Sequence, residues 1–145
     1  MTKLYALSIK QPWAALLVRG QKSIEVRSWP TARRGRILIH AARIADERPQ
    51  AWAHVNAELE PIARQLGGIV GFAELTGCVP YRSVEAFAAD RGHHLNEAAW
   101  FAPPVLYGFR FDSPQVVSFS RYPGWMRFFP VDWDEATGTA ADPTP

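Results

Sequence analysis

Residues 4–35 carry the backbone through strand, helix and strand with almost no linker between them, and this order constrains the fold more than any other part of the chain. Leu4 to Ile9 reads as a short strand closed by Gln11-Pro12. Proline fixes its own φ and suits the first turn of a helix, so the spacing predicts a helix from Pro12 to Arg19. Trp13, Leu16 and Leu17 share one face of it, and Gly20 is its stop. The next strand, Lys22 to Trp29, alternates cleanly: Ile24 and Val26 point one way, while Ser23, Glu25 and Arg27 point the other. Lys22 stands at the strand's start, where it can turn to either side. So many anchors and charged or amide side chains in one stretch exceed what scaffold alone requires.

Beyond the loop ending at Arg33-Arg34-Gly35, Arg36 to Ala41 reads as a strand, and Pro49 opens a helix with Trp52, Val55, Leu59, Ile62 and Leu66 at helical spacing. Pro61 should kink or divide that helix. Gly68 to Val79 is apolar on both faces, the mark of a central strand. A short helix from Ser83 to Arg91 follows, then a hairpin or consecutive strands over Leu106–Phe111 and Gln115–Phe119, and a last strand over Trp125–Val131. Residues 1–133 read as one domain, and the acidic, proline-containing segment 134–145 reads as a disordered tail. Short strands interrupted by about three helices, without a regular strand-helix repeat, predict an α+β fold, a small mixed barrel decorated by helices.

Length alone allows a sizeable core without metal or disulfide staples in a chain of 145 residues. A single cysteine, Cys78, forms no internal bridge, and no apolar run approaches the length of a membrane helix. A cytoplasmic protein with no membrane contact is the expectation. Residues 1–48 hold ten Lys/Arg against three Asp/Glu, a net +7, whereas residues 49–145 hold six against eleven, a net −5. Segregated positive charge of this kind attracts phosphate or other anions even though the whole chain is only +2. Thirteen of the sixteen basic residues are arginine, which favours forked phosphate contacts and stacking on planar rings.

Glu74 lies in the middle of the most apolar strand. A buried carboxylate without a partner is costly, so it either faces a cleft or meets a cation such as Lys22, Arg27 or Arg34. A carboxylate beside an amine in a cleft is a common acid/base arrangement; a buried ion pair that fixes strand order is the structural alternative. Glu25 and Arg27 could line a rim that reads phosphate and a base edge, or simply form a solvated strand face. Trp13, Trp29 and Trp125 border the basic segment or follow a turn, where a splayed base could stack, although Trp13 shares its helix face with Leu16 and Leu17 and reads as core. His40, His54, His93 and His94 lack the spacing of a metal site, and no glycine-rich phosphate loop or nucleophile elbow occurs. No metal and no cofactor are expected.

Ser8-x-x-Gln11-Pro12-Trp13-Ala14, then Gly20-x-Lys22-x-x-Glu25-x-Arg27-x-Trp29, Arg34-Gly35, Ile39-His40-Ala41 and Gly71-Phe72-Ala73-Glu74-Leu75 together resemble the ASCH domain, the activating signal cointegrator homology domain, from about Leu4 to Val131. The resemblance implies a PUA-like mixed β-barrel and a ligand cleft lined by Lys22, Glu25, Arg27 and Glu74, with Ser8, Gln11 and Trp29 near the rim. Arg33, Arg34 and Trp125 join them as candidate ligand contacts.

One branch of that family hydrolyses the acetyl amide of N4-acetylcytidine with a lysine, a threonine nucleophile three positions later and a glutamate on a later strand. Lys22 and Glu74 match the first and third, but Glu25 occupies the threonine position; Ser23, Ser28 or Thr76 could replace it only in a different cleft geometry. The expected function is therefore binding of RNA or a modified nucleoside or nucleotide, with DNA as a possible ligand. A small amidohydrolase or ribonuclease using Lys22 and Glu74 is the alternative, and a protein-interaction domain is the third.

Overall fold

Trp13–Val18 forms α1, and all six of its residues are buried. A helix this short does not hold itself in water, so tertiary packing keeps it. The computed structural model describes residues 1–143. In it α1 lies against a seven-stranded mixed sheet with the order β2-β5-β4-β3-β1-β6-β7. The strands are β1 (Thr2–Ile9), β2 (Ile24–Arg27), β3 (Gly35–Ala41), β4 (Gly68–Tyr81), β5 (Leu106–Arg121), β6 (Phe128–Asp134) and β7 (Thr139–Ala140). Only β1 and β3 run parallel, with Ser8 opposite His40 and Ile9 opposite Ala41; the other ladders are antiparallel.

The sheet is apolar on both sides at its centre. Leu7, Ile9, Ile37, Ile39, Val70 and Phe109 pack with α1, whereas Ala6, Leu38, Ile69, Phe129, Val131 and Trp133 fill the opposite face. Gly71 lets α1 come close, because a Cβ there would stand 2.5 Å from Val18 Cγ1 and 2.3 Å from the Gln115 carbonyl oxygen. Four further short helices surround the sheet: α2 (Pro49–Trp52), α3 (Glu60–Ala63), α4 (Val84–Ala89) and α5 (Arg91–His94). Pro61 stands in the second of the two pieces into which the expected helix after Pro49 divides. Ser83 caps α4, its hydroxyl accepting the Ala86 N–H at 3.1 Å.

Three expectations need correction. The sheet is open and not a closed barrel: β2 pairs with β5 and β7 with β6, and the two edges form no ladder among the described residues. The hairpin or consecutive strands expected over Leu106–Phe111 and Gln115–Phe119 are one continuous strand, because Ser113 and Pro114 are accommodated as an irregularity opposite Ala73 instead of reversing or ending it. The final long strand starts at Phe128 and not at Trp125. Beyond residue 133, Asp134 Oδ1 accepts the Ala136 N–H at 2.9 Å, and the resulting turn returns Thr139 and Ala140 to β6. Residues 144 and 145 of the expected tail lie outside the described residues. No helix among the described residues is long and apolar enough to cross a membrane.

Candidate ligand cleft

β2 is an edge strand whose alternation puts Glu25 and Arg27 on one face of the sheet, the face of their β5 partners Phe109 and Tyr107, and Lys22 just before the strand reaches Glu25. Lys22 Nζ lies 3.2 Å from Glu25 Oε1 and donates to the His94 carbonyl at 3.1 Å, with the Trp13 ring centroid 4.9 Å away. Arg27 takes the other glutamate oxygen, its Nη2 2.9 Å and its Nε 3.1 Å from Glu25 Oε2. The same Nη2 donates to the Ser8 carbonyl at 2.8 Å, tying β2 to the end of β1. One carboxylate thus bridges two cations at the floor of a cleft of about 540 Å³, which Ser8, Trp13, Trp29, Asp46 and Asn96 also line.

Burial lowers the Lys22 amine pKa, and the Glu25 carboxylate only partly offsets this. Burial also pushes the Glu25 carboxyl up, but Lys22 and Arg27 outweigh it and hold it below the ordinary carboxylate range. Glu25 is therefore a pinned anion whose oxygens are both engaged, which leaves it unsuited to attack an amide.

A second acid completes the wall. Trp13 Nε1–H donates to Asp46 Oδ2 at 2.8 Å, and Arg48 Nη2 meets the same oxygen at 2.6 Å. Burial raises the Asp46 pKa, but the hydrogen bonds from Arg48 and Trp13 prevail and bring it to about 2. Arg48 in turn stacks on Trp100, 3.6 Å from its centroid. His94 supports the floor from below: its Nε2–H donates to the Phe87 carbonyl at 2.6 Å, and its Nδ1 accepts the Asn96 N–H at 2.9 Å. Those two partners require the neutral ring with the proton on Nε2.

The expected site residues divide into groups. Ser8, Lys22, Glu25, Arg27 and Trp29 meet in the cleft. Trp13 is both core and wall, only 7% exposed. Arg33 and Arg34 lie beyond Trp29 in an adjoining shallow basin, where Arg33 stacks 3.9 Å from the centroid of Tyr5. Trp125 stands on a neighbouring groove. Gln11 is fully buried and structural: its amide donates to the Ile62 and Gln65 carbonyls at 2.8 and 3.0 Å, and its Oε1 accepts the Ala15 N–H at 3.0 Å.

Glu74 does not join Lys22. It lies opposite Arg36 across the β3/β4 ladder and pairs with that arginine at 3.7 Å, with 40% of its side chain exposed. The expected lysine–glutamate acid/base pair is thus not assembled. Of the three hydroxyls that could stand in for the threonine nucleophile, only Ser28 lines the cleft; Ser23 contacts His93 and Thr76 bonds the Arg110 carbonyl. Sequence reasoning missed Asp46, Arg48 and Asn96 as cleft residues. The first two had a local signal, since Asp46-x-Arg48-Pro49 has the form of an Asx turn before a helix, and Arg48 N–H does donate to Asp46 Oδ1 at 2.9 Å.

Comparison with known proteins places this architecture. Activating signal cointegrator 1 from Homo sapiens is 49% identical over 53 residues, 37% of this chain and 9% of that protein. The Mus musculus protein of the same name is 60% identical over 37 residues, 26% of this chain and 6% of that one. The matched segments therefore span less than a tenth of the length of these curated relatives. Among solved structures, a mutant form of ZmASCH from Zymomonas mobilis superposes with a TM-score of 0.57 at 20% identity, covering 83% of this chain and 76% of that one. ZmASCH itself gives 0.52 at 17% identity, covering 79% and 71%. At these identities the likeness is one of fold. The ASCH domain profile matches residues 7–131, nearly the whole chain, and the protein belongs to the ASCH domain family.

Proposed function

We propose that this ASCH domain binds RNA and seats one nucleobase or modified nucleobase in the Lys22–Glu25–Arg27 cleft. The observation that carries the reading is the bridged carboxylate at its floor. Glu25 offers acceptors and Lys22 and Arg27 offer donors, and their mutual bonds fix all three before any ligand arrives. Pre-set donors and acceptors between aromatic walls suit the polar edge and flat face of an unstacked base. Trp29 supplies such a wall, held by Phe109 and Phe128 at centroid distances of 5.1 and 5.7 Å. The surplus of arginine in residues 1–48, which contribute all of the cleft's charged groups, supports a phosphate-bearing ligand.

Hydrolysis is the weaker reading because Glu25, at the nucleophile's position, is pinned and Glu74, the expected acid/base partner of Lys22, is remote. Fluorescence anisotropy with labelled single-stranded RNA at about 50 and 200 mM salt tests the proposal. Affinity should drop at the higher salt, and Arg27→Ala should weaken binding at least tenfold. Absence of binding at low salt would overturn it.

A further inference from the structure

A second groove of about 780 Å³ opens beside the cleft and shares Ser8, Lys10 and Ala42 with it. Its lining contains Lys10, Arg43 and Arg121 and no aspartate or glutamate. It also gathers Ile44, Leu66, Trp125 and Met126, four of the seven large hydrophobic side chains exposed among the described residues. Trp125 is 68% exposed and Met126 86%. An apolar surface this open beside unopposed cations needs a partner that is both flat and anionic.

The wall that presents Trp125 is built and not a loose end. His40 is buried, and its Nε2–H donates to the Tyr122 carbonyl at 2.7 Å while its Nδ1 accepts from Ser8 Oγ at 2.9 Å. Tyr122 N–H is held by the Gly67 carbonyl at 3.1 Å. Gly124 then passes so close over the imidazole that a Cβ would stand 2.8 Å from His40 Cε1. These contacts set the indole at the outer edge of the groove.

We propose that this groove is a second nucleotide subsite, in which Trp125 stacks on a base flanking the one in the cleft and Lys10, Arg43 and Arg121 hold the intervening phosphates. The inference rests on the cleft being a nucleobase pocket. Three observations favour a nucleic-acid strand as occupant: the groove runs continuously from the cleft, its charge is wholly positive, and its aromatic is solvent-facing. Single-stranded RNA combines stackable faces with a phosphate at each step, which a free nucleoside does not. The ligand is then a strand of at least two nucleotides.

The test compares binding of the four ribonucleoside 5′-monophosphates with binding of a mixed-sequence hexaribonucleotide by the full chain. The hexamer should bind at least tenfold tighter than the best monophosphate. Trp125→Ala and the double change Arg43→Ser/Arg121→Ser should each remove most of that gain and leave monophosphate affinity within twofold. These side chains are exposed, so the variants should retain the wild-type circular dichroism spectrum. If monophosphates bind but lengthening gains nothing, the groove assignment fails while the cleft reading stands. Failure of both ligands to bind overturns both, and competition by hexaglutamate as effective as that by unlabelled hexamer would assign the groove to an acidic peptide instead.

Discussion

Lys22 Nζ and Glu25 Oε1 are 3.2 Å apart, although only 2% of the lysine side chain and 10% of the glutamate side chain reach solvent. Removing one partner of such a pair leaves a charge that is buried and uncompensated, typically at a cost of about 3 to 5 kcal/mol. Glu25→Gln should approach that loss in chemical denaturation because it strands both Lys22 and Arg27. Lys22→Met should cost less, since Arg27 still neutralises the glutamate. Equal losses in the two variants would show that Arg27 contributes nothing to holding Glu25.

Asp46 gives the cleft wall an acid limit. Its carboxyl titrates at about 2 in the fold against an ordinary 3.8, so the folded state prefers the anion. The resulting stabilisation, about 2 kcal/mol, is present above pH 4 and disappears as pH falls toward 2. Asp46→Asn should be less stable than wild type at pH 7, with the difference shrinking through that window in urea titrations.

His40 and His94 add a second dependence nearer neutrality. Burial leads the causes that lower both pKa values below the ordinary 6.5, and both rings accept a hydrogen bond on Nδ1 that protonation would break. The unfolded chain therefore takes up protons first, and stability is full above about pH 6.5 and declines as pH falls below it. The melting temperature should fall between pH 7 and pH 5, and NMR should show the two imidazoles still neutral at pH 6.5.

Glu74→Gln should be nearly silent. Its partner Arg36 is 37% exposed, and pairs of that kind are worth less than about 1 kcal/mol. RNA affinity should be unchanged by the substitution, and the wild-type chain should release no cytidine from N4-acetylcytidine. Deacetylation that Glu74→Gln abolished would contradict the placement of this residue outside the cleft.

Gly71→Ala should be among the costliest single changes. The added methyl would meet the Gln115 carbonyl at 2.3 Å and Val18 within 3 Å, so either α1 or β5 must shift. Overpacking of this kind typically costs about 1 to 3 kcal/mol. Because α1 carries Trp13, RNA binding should weaken together with the melting temperature.

The alternation of β2 was legible because period-two patterning needs no knowledge of neighbours: Glu25 and Arg27 emerge on the cleft side as the residues dictate. Glu74 was not legible, because a strand apolar on both faces gives no sign of which partner stands across the ladder. Arg36 does, and its guanidinium also covers Phe72 at 4.3 Å, which lets a charge sit at the margin of an apolar strand. Gln11 misled for a related reason. Its amide is satisfied by carbonyls more than fifty residues away, near the end of α3. Trp125 reads as a strand residue by composition, yet the chain is diverted by the buried His40, a contact between positions 40 and 122 that no local pattern encodes.

The lone parallel pairing of β1 with β3 has a practical consequence. Both strands run out at the same end, so the chain leaving Ile9 and the chain leaving Ala41 travel side by side, fastened by Ala42 N–H to the Ile9 carbonyl at 2.9 Å and Asp46 N–H to the Gln11 carbonyl at 2.8 Å. Between those two fasteners runs a short span of which Arg43 and Ile44 line the groove. Residues exchanged or inserted within it would reshape the groove while the sheet ladders stay whole, so this span can vary in length without cost to the fold.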